Sequence, residues 1–329
     1  MSVSLYPLRF DPIYQYRLWG GRRLENLLSA PLPDGTIGEA WVLSDRDDFP
    51  SRVMAGSLKG QTIKELLAVA KEPMFGKLAE KFDRFPLLLK YLDAREMLSV
   101  QVHPSDADKE YLPPGEMGKT EAWVVLETGP DSSINAGLTP GATAEGMRAK
   151  LANQTVEEDL ASFAPKVGDG VFLHAGTVHA LGGGVVVFEV QQNSDVTFRL
   201  YDWNRVDAKT GKPRDLQIEQ AIACTDFSKG AVSPVTPTVL STTPVHDEQM
   251  FSGTQFELRR LQGDQPFEVG APDEPRVLVC VEGSGHVDYA GQSYAIDKGD
   301  VMFLAAALGV CTFKPSSQVT VFEIAVPLA

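Results

Sequence analysis

The stretch that decides the fold is Leu98-Ser-Val-Gln-Val-His-Pro-Ser-Asp-Ala-Asp108, with its continuation Gly118-Lys-Thr-Glu-Ala-Trp123. Gln101 and His103 are two residues apart in an apolar run, so on a β-strand their side chains lie on the same face. Glu121 begins a second apolar run eighteen positions after His103. If these two strands are neighbours, an imidazole, an amide oxygen and a carboxylate converge on one point, which is most of a metal site.

The sequence around this stretch consists mainly of short apolar runs separated by single Gly and Pro residues, which predicts a mainly β protein. Two segments, at about residues 60–84 and 143–162, instead have amphipathic helical patterns. Capping boxes mark helix starts at Thr62 and at Thr155. From residue 247 to 329 the chain is almost entirely short strands with Gly turns, which is typical of a β-sandwich or small barrel.

A chain of 329 residues is long for one compact unit, so two domains are expected. Residues 233–246 are rich in Ser, Thr, Pro and Val and are interpreted as a linker. The triplets Val167-Gly-Asp169 and Lys298-Gly-Asp300 each precede an apolar strand, which indicates the same corner in two related β-barrels. We therefore expect one domain over residues 1–232 and a second over residues 247–329.

Composition excludes several classes of partner. The formal net charge of -14 argues against binding to nucleic acid or to an anionic membrane, and any anionic substrate must be held by a few well-placed cations. The three cysteines are widely spaced and indicate buried thiols in a reducing compartment. Neither a signal peptide nor an apolar run of about 18 residues is evident. These features predict a cytoplasmic protein.

His179 is the natural fourth member of the metal site. It follows Gly176 in a tight turn and precedes a triple glycine, a context that gives an imidazole a defined direction. A single histidine is more often an ordinary core or surface residue. Here, however, two of only five histidines share such contexts, and His174 is the less favoured competitor. Two nitrogen and two oxygen donors suit Zn²⁺, and also Mn²⁺, Fe²⁺ or Co²⁺.

Four separated blocks now carry a resemblance: Gln101-Val-His103-Pro, Lys119-Thr-Glu121-Ala-Trp123, Gly176-Thr-Val-His179-Ala and Glu189-Val-Gln-Gln-Asn-Ser-Asp195 with Arg199. In this order they resemble the type I mannose-6-phosphate isomerase family, especially its short bacterial form, over essentially the whole chain. The resemblance implies a mainly β fold of two cupin (jelly-roll) barrels. It also implies a helical insertion in the N-terminal part, a metal in the first barrel and none in the second.

The resemblance also implies roles for particular residues. Arg199 matches the family's active-site arginine, while Lys119 and Glu189 match polar residues of the substrate pocket. In one respect the chain departs from larger members, because Arg199 is followed here by Leu-Tyr-Asp-Trp-Asn-Arg205. Four residues match the zinc ligands: Gln101, His103, Glu121 and His179.

The implied activity is the metal-dependent interconversion of mannose 6-phosphate and fructose 6-phosphate through an enediolate. Glu189 and Lys119 are candidates for the acid and base, although Glu189 could equally serve to orient a neighbouring cation. Arg205, Lys90 and Lys119 are cations available to the phosphate of the substrate. Two other classes stay open at this point: a metal-dependent cupin dioxygenase and a non-catalytic sugar-binding cupin.

Overall fold

The computed structural model describes residues 3–328, and β-strands are the main regular element. The described chain contains three α-helices, α1 (Ile63–Phe75), α2 (Ala144–Asn153) and α3 (Ile218–Cys224). Its 22 strands, in chain order, are β1 (Leu8–Arg9), β2 (Ile13–Gln15), β3 (Glu39–Leu43), β4 (Leu87–Ala94), β5 (Val100–Val102), β6 (Glu121–Thr128), β7 (Ile134–Leu138), β8 (Leu160–Phe163), β9 (Gly170–Leu173), β10 (His179–Leu181), β11 (Val185–Gln192), β12 (Phe198–Tyr201), β13 (Thr238–Ser241), β14 (His246–Ser252), β15 (Glu257–Gly263), β16 (Phe267–Val269), β17 (Arg276–Glu282), β18 (Ser284–Tyr289), β19 (Gln292–Asp297), β20 (Val301–Leu304), β21 (Cys311–Pro315) and β22 (Val319–Ala325).

The strands form four sheets, and each pairing within them is antiparallel. Two sheets come from the first two thirds of the chain, with strand orders β2-β3-β4-β11-β6-β9 and β12-β5-β10-β7-β8. The other two come from the last third, except that β1 joins one edge, with orders β1-β20-β17-β22-β15-β14-β13 and β16-β21-β18-β19. The predicted mainly β class is confirmed.

The two pairs of sheets share one hydrophobic core. The ring centroids of Phe188 and Phe322 are 5.8 Å apart, and those of Phe85 and Phe303 are 5.6 Å apart, so aromatic packing joins early to late segments. Strand β1 crosses over as well, because Leu8 pairs with Phe303 of β20. A continuous apolar contact of this kind fixes the two parts of the chain against each other.

The two predicted corners have the same backbone arrangement. Gly168 and Gly299 have φ of 90° and 89°, a region that favours glycine. At each corner the aspartate that follows accepts a 2.8 Å hydrogen bond from the backbone N–H three residues earlier. Strands β9 and β20 begin directly after these turns. The shared turn shows that the two Gly-Asp signals have the same structural meaning.

The helical predictions are confirmed at one cap and wrong at the other. Thr62 and Glu65 form both bonds of a capping box at the start of α1. Thr155 makes no side-chain cap, and the residues after it form a short 3₁₀ turn, Val156–Asp159, that leads into strand β8. The end of the predicted segment 143–162 is therefore a strand, because pairing with β7 outweighs its weak helical pattern.

The short strands predicted between residues 247 and 329 are confirmed, because β15 to β22 lie in this range. The predicted linker, residues 233–246, is not wholly irregular, since β13 lies inside it and pairs with β14. In the part of the chain that the structure describes, no helix has the length and apolar character needed to cross a bilayer.

Candidate metal centre and its cavity

The predicted ligand residues meet across two different sheets. Gln101 of β5 and His179 of β10 are register partners on adjacent strands. Glu121, the first residue of β6, belongs to the six-stranded sheet instead. The Gln101 and Glu121 strands are therefore not neighbours in one sheet. The side chains still converge, because each points from its own sheet into the space between the two.

Three of these side chains form a compact buried cluster. The ligand atoms of His103, Glu121 and His179 all lie within 4.8 Å of one another. Each carboxylate oxygen of Glu121 contacts a different imidazole. Oε2 is 3.4 Å from His103 Nε2, and Oε1 is 3.2 Å from His179 Nε2. No more than 2% of any of the three side chains is exposed. This is a site enclosed by protein.

Backbone carbonyls fix the orientation of both imidazoles. His103 Nδ1 lies 2.9 Å from the carbonyl oxygen of Val196, and His179 Nδ1 lies 2.9 Å from that of Thr177. Each Nδ1 must carry the proton to make these bonds, which leaves the Nε2 lone pair directed at the cluster. Burial and then the neighbouring Lys119 lower the pKa of His103 to about 3, so this ring is neutral at pH 7. Neutral, oriented imidazoles are the form that binds metal ions.

The Gln101 amide borders the cluster with its nitrogen inward. Its Nε2 lies 3.2 Å from His179 Nε2, while its oxygen accepts a 3.3 Å bond from the Ser99 hydroxyl. Metal ligation uses the amide oxygen, so a half-turn of the amide group is required before Gln101 can serve as a ligand.

Lys119 places an ammonium group beside the same ligands. Its Nζ lies 2.6 Å from Glu121 Oε2 and 3.0 Å from His103 Nε2. Burial opposes the lysine charge, but Glu121 and then Glu189 outweigh it and raise its pKa. Burial would likewise raise the pKa of Glu121, yet Lys119 and the two histidines hold it well below its ordinary value. Among the described residues, neither oxygen of Glu121 accepts a well-aligned hydrogen bond, although Oε2 is paired with the Lys119 ammonium.

A cavity of about 420 Å³ adjoins the cluster. Gln101 and Lys119 form its boundary with the cluster, and Glu189 and Arg199 line it as well. A volume of this size suits a small polar ligand of the size of a sugar phosphate. The seven residues given metal, catalytic or pocket roles by the resemblance thus lie in the cluster or on this cavity.

Comparison with known proteins agrees with this geometry. Residues 8–118 match the family described as "Phosphomannose isomerase type I, catalytic domain". The chain is 34% identical over 318 residues to "Mannose-6-phosphate isomerase ManA" of Bacillus subtilis (strain 168), covering 93% of this chain and 95% of that protein. The chain belongs to the type I phosphomannose isomerase family.

Two further relatives support the assignment to this family. "Mannose-6-phosphate isomerase" of Streptococcus mutans is 35% identical, with 91% of this chain and 92% of that protein covered. The crystal structure of the mannose 6-phosphate isomerase from Bacillus subtilis superposes with a TM-score of 0.88 at 29% identity, covering 97% of this chain and 99% of that one. The similarity to the phosphomannose isomerase family therefore extends over both pairs of sheets.

In this member of the family, alternating buried charges cross the six-stranded sheet behind the cavity. Lys90 of β4 lies between two glutamates, with Nζ 3.5 Å from Glu189 Oε1 and 4.0 Å from Glu39 Oε2. An indole N–H holds each glutamate: Trp123 donates to Glu189 at 2.8 Å and Trp41 donates to Glu39 at 2.7 Å. The carboxylates are thus fixed in position, which a cavity-lining acid or base requires.

The two glutamates differ in proton affinity. Burial, and then the nearby Glu121, raise the pKa of Glu189 above its ordinary value. Burial would also raise that of Glu39, but Arg17 and Lys90 overcome this effect and lower it to about 2. Glu189 is therefore the carboxylate of this pair that exchanges protons more readily near neutral pH.

Arg199 is held by neutral groups. Its Nε donates to the Ser99 hydroxyl at 3.2 Å and its Nη1 to the carbonyl oxygen of Asp215 at 2.9 Å. Burial, and then the adjacent guanidinium of Arg214, lower its pKa to about 10, which still leaves it charged at pH 7. Among residues 3–328, no carboxylate bonds this positive charge, which lines the cavity.

Several cavity residues were not assigned to the site from the sequence. Neither Glu39 nor Arg214 was given a role in the site. A signal for Glu39 existed, because a single charge inside an apolar buried strand requires a partner. Arg214 carried no such signal, since it lies in a polar loop.

Proposed function

We propose that this protein is a metal-dependent aldose–ketose isomerase that interconverts mannose 6-phosphate and fructose 6-phosphate. One observation carries the proposal: the buried cluster of His103, Glu121 and His179 adjoins a cavity that is lined by a fixed carboxylate and a guanidinium group. Membership of the phosphomannose isomerase family supports the choice of substrate, because its relatives carry that name.

The metal proposed is zinc, held by Gln101, His103, Glu121 and His179. The donor set supports zinc, since two oriented imidazoles, a carboxylate and an amide oxygen suit Zn²⁺, although they also suit Mn²⁺, Fe²⁺ or Co²⁺. A divalent ion and the Lys119 ammonium repel each other, so Lys119 must turn toward the cavity when the ion binds. The bound ion would supply Lewis-acid polarisation of the substrate oxygens.

The reaction moves a proton between C2 and C1 of the open-chain sugar. Removal of the C2 proton from the aldose gives an enediolate, and return of a proton to C1 gives the ketose, with a second proton shifting between the two oxygens. We assign the carbon-bound proton to Glu189, which lines the cavity with a raised pKa. Lys119 can donate to the oxygens, because its ammonium already lies at the boundary between cluster and cavity.

Arg199 is proposed as the residue that stabilises the negative charge of the enediolate. Its guanidinium remains protonated, so it acts through its field and hydrogen bonds and not as a base. The register pairing of Arg199 with Gln101 supports this role, because it places the arginine on the strand beside the metal cluster.

The finer architecture is also part of this proposal. We interpret the two pairs of sheets as two cupin barrels, with residues 1–232 and 247–329 as domains, 233–246 as linker and helical insertions near α1 and α2. The matching turns at Gly168 and Gly299 support two related barrels. Counting eleven residues from these glycines reaches His179 in the first but Val310 in the second, which supports a second barrel without metal.

A coupled assay tests the function. Purified protein is given mannose 6-phosphate, and fructose 6-phosphate is measured before and after dialysis against a chelator, then after separate addition of each divalent metal. We expect turnover that is lost with the metal and restored by Zn²⁺. Full turnover by metal-free protein would exclude the proposed metal dependence. Oxygen consumption without isomerisation would indicate a dioxygenase, and binding without turnover a sugar-binding protein.

A further inference from the structure

The isomerase proposal requires positively charged groups that bind the phosphate of the substrate, although the protein as a whole is negatively charged. The chain carries a formal net charge of -14, so its long-range field repels a phosphate. Residues 199–215 are an exception, since they contain five Lys or Arg against three Asp, a local net charge of +2. This segment includes β12 and the loop that follows it.

Two guanidinium groups share one buried carboxylate in this segment, and a third guanidinium lies nearby. Arg214 donates to both oxygens of Asp202, at 2.8 and 2.5 Å, and Arg205 donates to one of them at 2.5 Å. Arg199 is close enough for both arginines to lower its pKa, after the larger effect of burial. One carboxylate cannot neutralise three cations, and a bound dianion would relieve their mutual repulsion.

Only some of these cations face the cavity. Arg199 and Arg214 line it, together with Tyr16 and Asp207 on the more exposed side, but Arg205 does not. The Arg205 donors are instead directed at Asp202 and at the carbonyl oxygen of Met97. The structure therefore favours a different arginine from the one that the sequence suggested for phosphate.

Arg199 and Arg214 each keep a free donor. Within residues 3–328, Arg214 Nη1 and Arg199 Nη2 make no hydrogen bond, although both residues line the cavity. Asp207, the acidic neighbour on this side, already accepts hydrogen bonds from Tyr16 Oη and from the backbone N–H of Lys209. Guanidinium groups with free N–H donors are the groups that bind phosphate oxygens best.

We propose that Arg214 binds the phosphate group of the substrate and so sets the preference for phosphorylated over free sugars, an inference that rests on the isomerase function proposed above. The Arg214 side chain is 21% exposed, whereas those of Lys119 and Glu189 are 5% and 4% exposed. Arg214 thus stands at the open end of the cavity. The phosphate, four carbons from the reacting C2, lies at this end when C1 and C2 lie near the metal cluster. Asp202 is then a positioning residue that holds Arg214.

The chain offers a matched pair of variants for the test. Arg214→Gln and Arg205→Gln each remove one guanidinium from the same carboxylate of Asp202, but only the first removes a cavity cation. Arg214→Lys keeps the charge while losing the two-pronged hold on Asp202. Thermal unfolding of each variant verifies that it is folded at the assay temperature.

Two readouts are needed: kcat/KM for mannose 6-phosphate and for free mannose, and the dissociation constant of inorganic phosphate by calorimetry. In Arg214→Gln we expect the ratio of kcat/KM for mannose 6-phosphate over mannose to fall about tenfold or more, and phosphate binding to weaken similarly, as for loss of one charge-assisted hydrogen bond. Arg214→Lys should show a smaller loss. Arg205→Gln should keep both values within about twofold of wild type, because Arg205 does not line the cavity.

Equal effects of Arg214→Gln and Arg205→Gln, or equal losses on both sugars, would overturn the assignment. The calorimetric readout separates this outcome from failure of the isomerase proposal. If wild-type protein isomerises neither sugar but binds phosphate through Arg214, the phosphate site at Arg214 is supported and the isomerase function is excluded. If wild-type protein isomerises mannose 6-phosphate and Arg214→Gln binds phosphate normally, the phosphate site at Arg214 is excluded and the isomerase function is supported.

Discussion

Glu121 Oε2 lies 3.4 Å from His103 Nε2, although Glu121 begins a strand of the six-stranded sheet and His103 directly follows a strand of the five-stranded sheet. The cluster therefore exists only when the two sheets are packed together. A metal ion bound there joins the sheets at a point where both side chains are buried. Because an unfolded chain cannot present the same cluster, metal binding favours the folded state.

Removal of the metal should therefore lower the thermal unfolding midpoint as well as the activity. A ligand present at 100 times its dissociation constant adds about 2.7 kcal/mol to the free energy of unfolding. Glu121→Gln should lose most of this metal-dependent increment, which calorimetry with and without Zn²⁺ measures directly. Thr128→Val, at the far end of the same strand, is the control. An increment of the same size in Glu121→Gln would show that zinc binds elsewhere.

Glu39 should make stability sensitive to acid. Its pKa in the folded protein is about 2, below the ordinary 4.5, so its contribution is complete above pH 4.5 and is lost as the pH falls toward 2. A depression of this size corresponds to about 3 kcal/mol. In Glu39→Gln the pH-dependent part disappears, so the difference in free energy of unfolding from wild type should shrink between pH 5 and 2. Urea unfolding at each pH measures this difference. A difference between wild type and Glu39→Gln that stays constant from pH 5 to pH 2 would contradict the lowered pKa of Glu39.

The two predicted capping boxes allow a direct comparison. Thr62→Ala should reduce the free energy of unfolding by about 1 kcal/mol, because it removes the acceptor for the Glu65 backbone N–H. Thr155→Ala should change it by less than about 0.5 kcal/mol, since Thr155 makes no cap. Urea unfolding of both variants at neutral pH measures the difference. Equal effects would mean that the α1 cap does not contribute to stability.

Local sequence signals predicted local structure well. The bounds of the C-terminal strands follow from alternating apolar runs between Gly turns, and the Thr62 cap follows from residue spacing. The same signals failed where a distant partner decides the outcome. Residues 160–163 became a strand because β7 offers them a pairing edge. Likewise, short strands such as β5 do not encode which sheet they join.

The site residues likewise fall into those that the sequence predicted and those that it did not. The four ligand residues were predicted from the Gln-x-His spacing, the strand that Glu121 begins, the glycines around His179 and the family resemblance. The structure brings them together. Arg214 was not predicted, because a loop arginine in a polar segment resembles any surface charge. Its position depends on Asp202, twelve residues earlier, which no periodic pattern links to it.

Arg199→Ala should lower kcat without removing the metal. Arg199 contributes no ligand atom to the cluster, so metal content by mass spectrometry should stay near that of wild type. Loss of one preorganised donor to a developing oxyanion typically costs roughly 100- to 1,000-fold in kcat, and we expect a loss in that range. Unchanged turnover would exclude Arg199 from catalysis. A parallel loss of metal would assign it a structural role beside Gln101.

The indole N–H of Trp123 should lower the apparent pKa on the acid side of the pH profile of kcat/KM. Its Nε1 donates to Glu189 Oε2 at 2.8 Å and so favours the ionised carboxylate that acts as base. Trp123→Phe keeps an aromatic ring beside His179 but removes this donor. The apparent pKa on the acid side of kcat/KM should therefore rise by about one unit.

Trp41→Phe is the matched control, because Trp41 donates the equivalent bond to Glu39 instead. If Glu189 removes the carbon-bound proton, only the Trp123 variant shifts the acid limb, and activity at low pH falls while the plateau is largely kept. An equal shift in both variants would mean that the apparent pKa depends on Glu39, Lys90 and Glu189 together and not on Glu189 alone. An unshifted limb in Trp123→Phe would mean that another group, such as Lys119, controls the proton transfer.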